Sequence, residues 1–187
     1  KDWPQRVIID RGPVMMTGNP GNFELMKIHY KRPFKCIVLV RDLMEVLASY
    51  MKLYTENPNS FINKYGCKND EEKLLKIMNK DGAVAKEIEG IKNAYNYPDI
   101  CHFIKYDDLC QSPEEEIKKV YKFLGEPYFN HRFLDLDQIN INGLSYDDTV
   151  VGEGMHTVKK EKIEKTYNPY IEKIPHSIRE KYGHIKF

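Results

Sequence analysis

No apolar run in this sequence approaches the ~20 residues that a membrane-spanning helix needs. The longest, Cys36 to Val40, is the size of a single β-strand. Charge of one sign is also missing. Lys+Arg number 29 and Asp+Glu 28, a formal net charge of +1, which argues against a general polyanion binder and hence against nucleic acid as partner. The cysteines Cys36, Cys67, Cys101 and Cys110 form no CxxC pair and have no histidine at metal-ligand spacing. The expectation is free thiols in a reducing, cytoplasmic setting and no metal site. There is no internal repeat and no low-complexity stretch. No Gly-x4-Gly-Lys-[Ser/Thr] phosphate loop occurs. Arginine is scarce, confined to Arg6, Arg11, Arg32, Arg41, Arg132 and Arg179. Each position therefore carries information, because the planar guanidinium fork suits phosphate-like groups.

What is present is enough for a folded domain. At roughly 100–200 residues per domain, the 187 residues make one domain or most of one, with 41% hydrophobic and 12% aromatic residues. Arg6 to Asp10 reads as a short β-branched strand, and Asn22 to Tyr30 as a helix capped by Asn22. Lys35 to Val40 is a continuous apolar strand of the kind buried on both faces of a parallel sheet. Arg41 ends it. Asp42 then caps a helix, and Glu45 three residues on completes a capping-box pattern. Residues 57–67 read as loop. A helical period runs from Asp70 to Tyr95, weakened at Gly82 and Gly90, which leaves room for a break. Ile100 to Ile104 is a further strand. Ser112-Pro113-Glu114-Glu115 is a strong helix start, and Gly125 with Pro127 marks the end. A short helix, Pro175 to Tyr182, closes the chain.

Alternation of strands and helices implies an α/β fold with a mainly parallel sheet. Ligands of such sheets bind at the carboxyl ends of the strands. The residues at those ends are Asp10-Arg11, Arg41-Asp42 and Tyr106-Asp107. Two arginines and a tyrosine at one edge point to an anionic, nucleotide-like ligand.

The segment from Cys36 to Tyr50 resembles the 3′-phosphate-binding motif of sulfotransferases that use 3′-phosphoadenosine 5′-phosphosulfate (PAPS): apolar strand, arginine, acidic helix start, and serine eight residues after the arginine. Arg41 and Ser49 stand at those positions. A structural Arg–carboxylate pair and a small packing serine are the plainer alternative. Phe103 to Leu109, followed by Ser112-Pro113-Glu114 and Phe123-Leu124-Gly125, is similar to a later motif of the same family, whose tyrosine lies against the adenine. Tyr106 occupies that position. The stretch Gly154 to Lys160 is similar to a late Gly-x-His-x-x-Arg/Lys element near the 3′-phosphate, with Lys159 or Lys160 as the contact. Ile8 to Pro13 resembles a strand-end element whose lysine reaches the transferring group, with Arg11 here in its place.

The resemblance implies a P-loop-NTPase-like three-layer α/β fold. It also implies a single sulfotransferase-like domain over residues 1–187. The family's Pro-Arg-Ser-Gly-Thr type loop, which cradles the 5′-phosphosulfate, is missing from it, and its expected place is in a segment before Lys1. An N-terminal targeting or anchor segment stays open on the same ground. The implied activity is sulfuryl transfer from PAPS, without a metal, to an acceptor hydroxyl or amine on a glycan, peptide, lipid or small molecule. Arg41, Ser49, Tyr106, Lys159 and Lys160 would hold the nucleotide and Arg11 would offset charge on the sulfuryl group. Asp10 and His156 are candidate general bases. Two alternatives stand beside this: a nucleotide-dependent phosphotransferase, and a non-catalytic nucleotide- or partner-binding module.

Overall fold

The structure is a computed structural model and describes residues 20–30, 33–135 and 162–187. The expected strand at residues 6–10 lies outside them. Helix α1 spans Pro20–Tyr30, strand β1 Cys36–Val40, α2 Leu43–Glu56, α3 Asp70–Met78 and α4 Ala83–Ala94. Strand β2 spans Cys101–Lys105, α5 Tyr106–Gln111, α6 Pro113–Leu124 and α7 His176–Tyr182. The expected loop 57–67 carries a 3-10 turn at Phe61–Tyr65, and another lies at Pro169–Lys173.

β1 and β2 pair in parallel, with Cys36 opposite Cys101 and Val40 opposite Lys105. The α/β class with a parallel pairing is thus present, and α2, α3 and α4 form the crossover that parallel strands require. One sheet face carries Val38, Val40, Cys101 and Phe103. It packs on Phe23 of α1 and Ile91 and Ala94 of α4, with the Phe103 and Tyr95 rings stacked at 4.1 Å. The other face carries Ile37, Leu39, His102 and Ile104. There α6 lies over β2, with the His102 and Phe123 rings 5.2 Å apart.

The expectation that β1 is covered on both faces is corrected. Ile37 is 41% and Leu39 51% exposed. Their continuous apolar pattern is right for a strand, but α6 sits over β2 and leaves the outer face of β1 open. A second apolar cluster joins Leu43, Leu47 and Met51 of α2 to Leu74 and Ile77 of α3. Val84 of α4 and Ile174 and Ile178 of the C-terminal segment complete it, so the end of the chain is packed against the helix that leaves β1.

The helical stretch from residue 70 is two helices, broken at Asn79–Gly82. A Cβ on Gly82 would stand 2.2 Å from the Ile77 carbonyl oxygen, so the chain can turn there only without a side chain. At Gly125, φ is +71°, the left-handed geometry that closes α6. The expected Ser112 cap makes no side-chain bond to α6. Ser112 is also the C-cap of α5, its N–H donating to the Asp108 carbonyl at 2.8 Å, and that double duty sets a backbone conformation unsuited to capping.

Candidate functional site

The site is built where β1 and β2 end. Because Val40 and Lys105 are register partners, Arg41 and Tyr106 are the next residues out on adjacent strands. The Arg41 guanidinium carbon stands 4.4 Å from the centre of the Tyr106 ring, a cation–π contact. Past Arg41 the chain turns into α2. Asp42 is the cap, its Oδ1 accepting from Met44 N at 2.9 Å and Glu45 N at 3.3 Å. Past Lys105 the chain turns directly into α5, so Tyr106 begins a helix rather than continuing the strand.

The capping box that Asp42 and Glu45 suggest is half closed. Glu45 does not reach back to the cap. Its carboxylate accepts from Arg41 Nε at 2.8 Å on one oxygen and meets Lys165 Nζ at 2.5 Å on the other. Two cations outcompete a backbone N–H for a carboxylate. The arginine–carboxylate pair of the plainer alternative therefore exists, but it uses Nε alone. Among the described residues Glu45 is the hydrogen-bonding partner found for Arg41.

Lys165 is the residue that sequence reasoning missed. Its Nζ also meets Asp107 Oδ2 at 2.8 Å, so one ammonium ties the first turn of α2 to the first turn of α5. Lys186 from the chain end pairs with Asp42 Oδ2 at 3.0 Å. Three carboxylates at the strand tips (Asp42, Glu45 and Asp107) thus face three cations (Arg41, Lys165 and Lys186), and the cluster carries no net charge. The N-terminus of α2 adds its positive dipole to the same edge.

These partners set the ionisation of the site. Partial burial pushes the Asp42 carboxyl up, but Lys186 and the two backbone N–H groups outweigh it and hold the group below the ordinary aspartate range. The Asp107 and Glu45 carboxylates push the Lys165 ammonium up. Burial, followed by a hydrogen bond with the Cys110 thiol, pushes the Tyr106 phenol up, against the opposing pull of Arg41. Tyr106 is therefore a neutral ring at neutral pH, with one face taken by Arg41.

Of the sequence-predicted residues, Arg41 and Tyr106 are brought together. Ser49 lies on α2, half-buried, one turn beyond Glu45 on the same side of the helix. No bond joins it to Arg41. Asp10, Arg11, His156, Lys159 and Lys160 lie outside the described residues. Among the described residues no cluster of His, Cys, Asp and Glu could hold a metal ion, and no helix is long and apolar enough to cross a membrane. All four cysteines are free thiols.

A family model described as the sulfotransferase domain matches residues 22–170. That range takes in Arg41, Ser49, Tyr106, Lys165 and the stretch with His156, Lys159 and Lys160; Asp10 and Arg11 precede it. No curated protein matches the chain. Among solved structures the chain is similar to the sulfotransferase domain from the curacin biosynthetic pathway, at 18% identity and a TM-score of 0.48. The match covers 92% of this chain and 54% of that one, so the chain spans about half the length of that domain.

Proposed function

The chain belongs to the sulfotransferase domain family, and from that premise we propose that it forms the 3′-phosphate and adenine side of a PAPS site in an enzyme that sulfates a hydroxyl or amine. The observation that carries the reading is Arg41 stacked on Tyr106 at the paired ends of β1 and β2. A guanidinium fixed through Nε presents its remaining donors as a fork, the geometry that suits a phosphate monoester. Tyr106 has one ring face on Arg41, so an adenine would meet its edge or its other face. Ser49, one turn below Glu45, would add a hydroxyl donor. Lys159 or Lys160 would supply a second cation to the phosphate.

PAPS supplies the activated sulfuryl group. In the transfer, the acceptor oxygen or nitrogen forms a bond to sulfur as the bond from sulfur to the bridging phosphate oxygen breaks, and the acceptor proton passes to a base. Adenosine 3′,5′-bisphosphate leaves. Asp10 and His156 stay the candidate bases and Arg11 the cation beside the transferring group. Within the chain's described part, the contribution is positioning and charge rather than bond-making.

The test is direct. Full-length protein is titrated with adenosine 3′,5′-bisphosphate by calorimetry and incubated with labelled PAPS and a panel of glycan, peptide, lipid and phenolic acceptors. Saturable binding together with label transfer supports the reading. Binding without transfer to any acceptor favours a non-catalytic module, and absence of binding overturns the proposal.

A further inference from the structure

Resting on that reading, we infer that Lys165 is a further anion-binding residue of this site and that Glu45 is the residue that positions it beside Arg41. One carboxylate holds two cations, one on each oxygen: Arg41 Nε on Oε2 and Lys165 Nζ on Oε1. Without it, two like charges would move apart. The three groups also differ in depth. The Glu45 side chain is 13% exposed, Arg41 26% and Lys165 41%. The carboxylate that holds both cations is thus the least exposed of the three, while Asp107, the second carboxylate on Lys165, is 55% exposed and free to swing away into solvent when an anion arrives.

Donor accounting identifies the ligand class. An ammonium has three N–H donors and a guanidinium five. Lys165 spends two, on Glu45 and Asp107. Arg41 spends one, on Glu45. Among the described residues, what remains is one donor from Lys165 and the terminal nitrogens of Arg41, a set that suits a tetrahedral group with several acceptor oxygens. That group is a phosphate monoester, whether on a nucleotide or as free phosphate. The spacing between the cations is set in advance by Glu45, so the ligand does not bear the cost of assembling them.

A rival account makes Lys165 a clamp only, fastening the C-terminal segment to α2 and α5. The two accounts differ in what substitution does. On the anion-binding account, Lys165→Ala in the full-length protein weakens adenosine 3′,5′-bisphosphate about tenfold, as for loss of one charge-assisted partner. It also flattens the salt dependence of binding. The variant leaves adenosine 5′-phosphate unaffected, and Lys165→Arg restores most of the loss. On the clamp account, both nucleotides weaken alike, together with the melting temperature, and that result overturns the inference.

Glu45→Gln supplies the second arm. It removes a negative charge beside an anion, so charge alone would tighten binding; loss of positioning weakens it instead. Weaker binding supports the inference and tighter binding overturns it. The reading of function is separable from this. If the wild type binds no nucleotide but binds inorganic phosphate, and Lys165→Ala weakens that binding, the anion site stands and the sulfotransferase reading falls. If the bisphosphate binds and Arg41→Ala weakens it while Lys165→Ala does not, the inference alone falls.

Discussion

Arg41 and Tyr106 touch because of a register, not a sequence motif. β1 and β2 are in parallel register to their last residues, Val40 opposite Lys105, so the side chains that follow are neighbours, with the guanidinium 4.4 Å from the ring centre. A slip of one residue would turn Tyr106 to the other side of the sheet edge. The contact sets a guanidinium against a flat ring, and on the proposed reading this pair would receive a phosphorylated nucleoside. Arg41→Ala is expected to weaken adenosine 3′,5′-bisphosphate by about 2–4 kcal/mol. Arg41→Lys should recover only part of it, because lysine keeps the charge but loses the fork and the plane. Calorimetry on both variants measures this, and unchanged affinity in Arg41→Ala would remove Arg41 from the site.

Tyr106 separates ring from hydroxyl. The phenol is pushed up and held by Cys110, so it stays protonated through neutral pH and gives no titration of its own there. Tyr106→Phe keeps the face against Arg41 and should change nucleotide affinity little. Tyr106→Ala removes the surface on which Arg41 rests, and a loss of about 0.5–2 kcal/mol is expected from the cation–π contact alone. Equal losses in the two variants would mean that the hydroxyl, not the ring, makes the contribution.

The strand tips were legible in the residues that build them. An apolar run, an arginine and an Asp cap locate β1 and the start of α2 to within a residue, because strand and cap are local physics. The turn at Gly82 was visible as a weakness in a helical period, although only the approach to the Ile77 carbonyl explains why a glycine is required. Lys165 was not legible. Its partner Asp107 lies 58 residues away, and Lys186 reaches Asp42 over 144. A lysine in a lysine-rich stretch has no local signature, and tertiary packing of the C-terminal segment through Ile174 and Ile178 decides which one arrives. The open face of β1 was illegible for a related reason. Apolar side chains record that a strand can be covered, not which helix lies over it.

Gly82 and Gly125 should respond differently to alanine. At Gly82 the new Cβ meets the backbone at the end of α3, the Ile77 oxygen at 2.2 Å and the Lys76 oxygen at 2.7 Å. Nothing flexible can give way, so Gly82→Ala should cost about 1–3 kcal/mol or more by overpacking. At Gly125 there is no atom within 4 Å, and the strain lies only in the +71° φ. Gly125→Ala should therefore cost about 1–2 kcal/mol. Denaturant midpoints compare them, and a smaller loss at Gly82 than at Gly125 would contradict the close approach.

The strand thiols should be inert. Cys36 and Cys101 are register partners. Burial pushes both up, Cys101 to about 12. The thiolate is the reactive form, so at pH 8 these two should resist iodoacetamide in the folded protein and react only on unfolding. Peptide mapping by mass spectrometry, with and without denaturant, checks it. Rapid native alkylation at Cys101 would show that β1 and β2 open locally.

Asp42 ties the site to the chain end, and its ionisation has a definite sign. The folded-state group titrates below its unfolded value of ~3.9 because Lys186 and the Met44 and Glu45 N–H groups favour the carboxylate over the opposing effect of burial. A depressed carboxyl contributes stability at pH values above the unfolded value. That contribution is lost as pH falls through the folded value. Asp42→Asn keeps an acceptor for the α2 cap but gives up the Lys186 pair, so at pH 7 it should cost less than about 1 kcal/mol, the usual worth of a partly exposed ion pair. Asp42→Ala also removes the cap and should cost about 0.5–2 kcal/mol. Thermal melts of the wild type and both variants between pH 7 and pH 2 separate the two parts. The Asn deficit should vanish at the acid end, where Asp42 is itself protonated, while the Ala deficit should persist. A constant Asn deficit across that range would mean that Lys186 contributes nothing and that the cap alone holds the turn after β1.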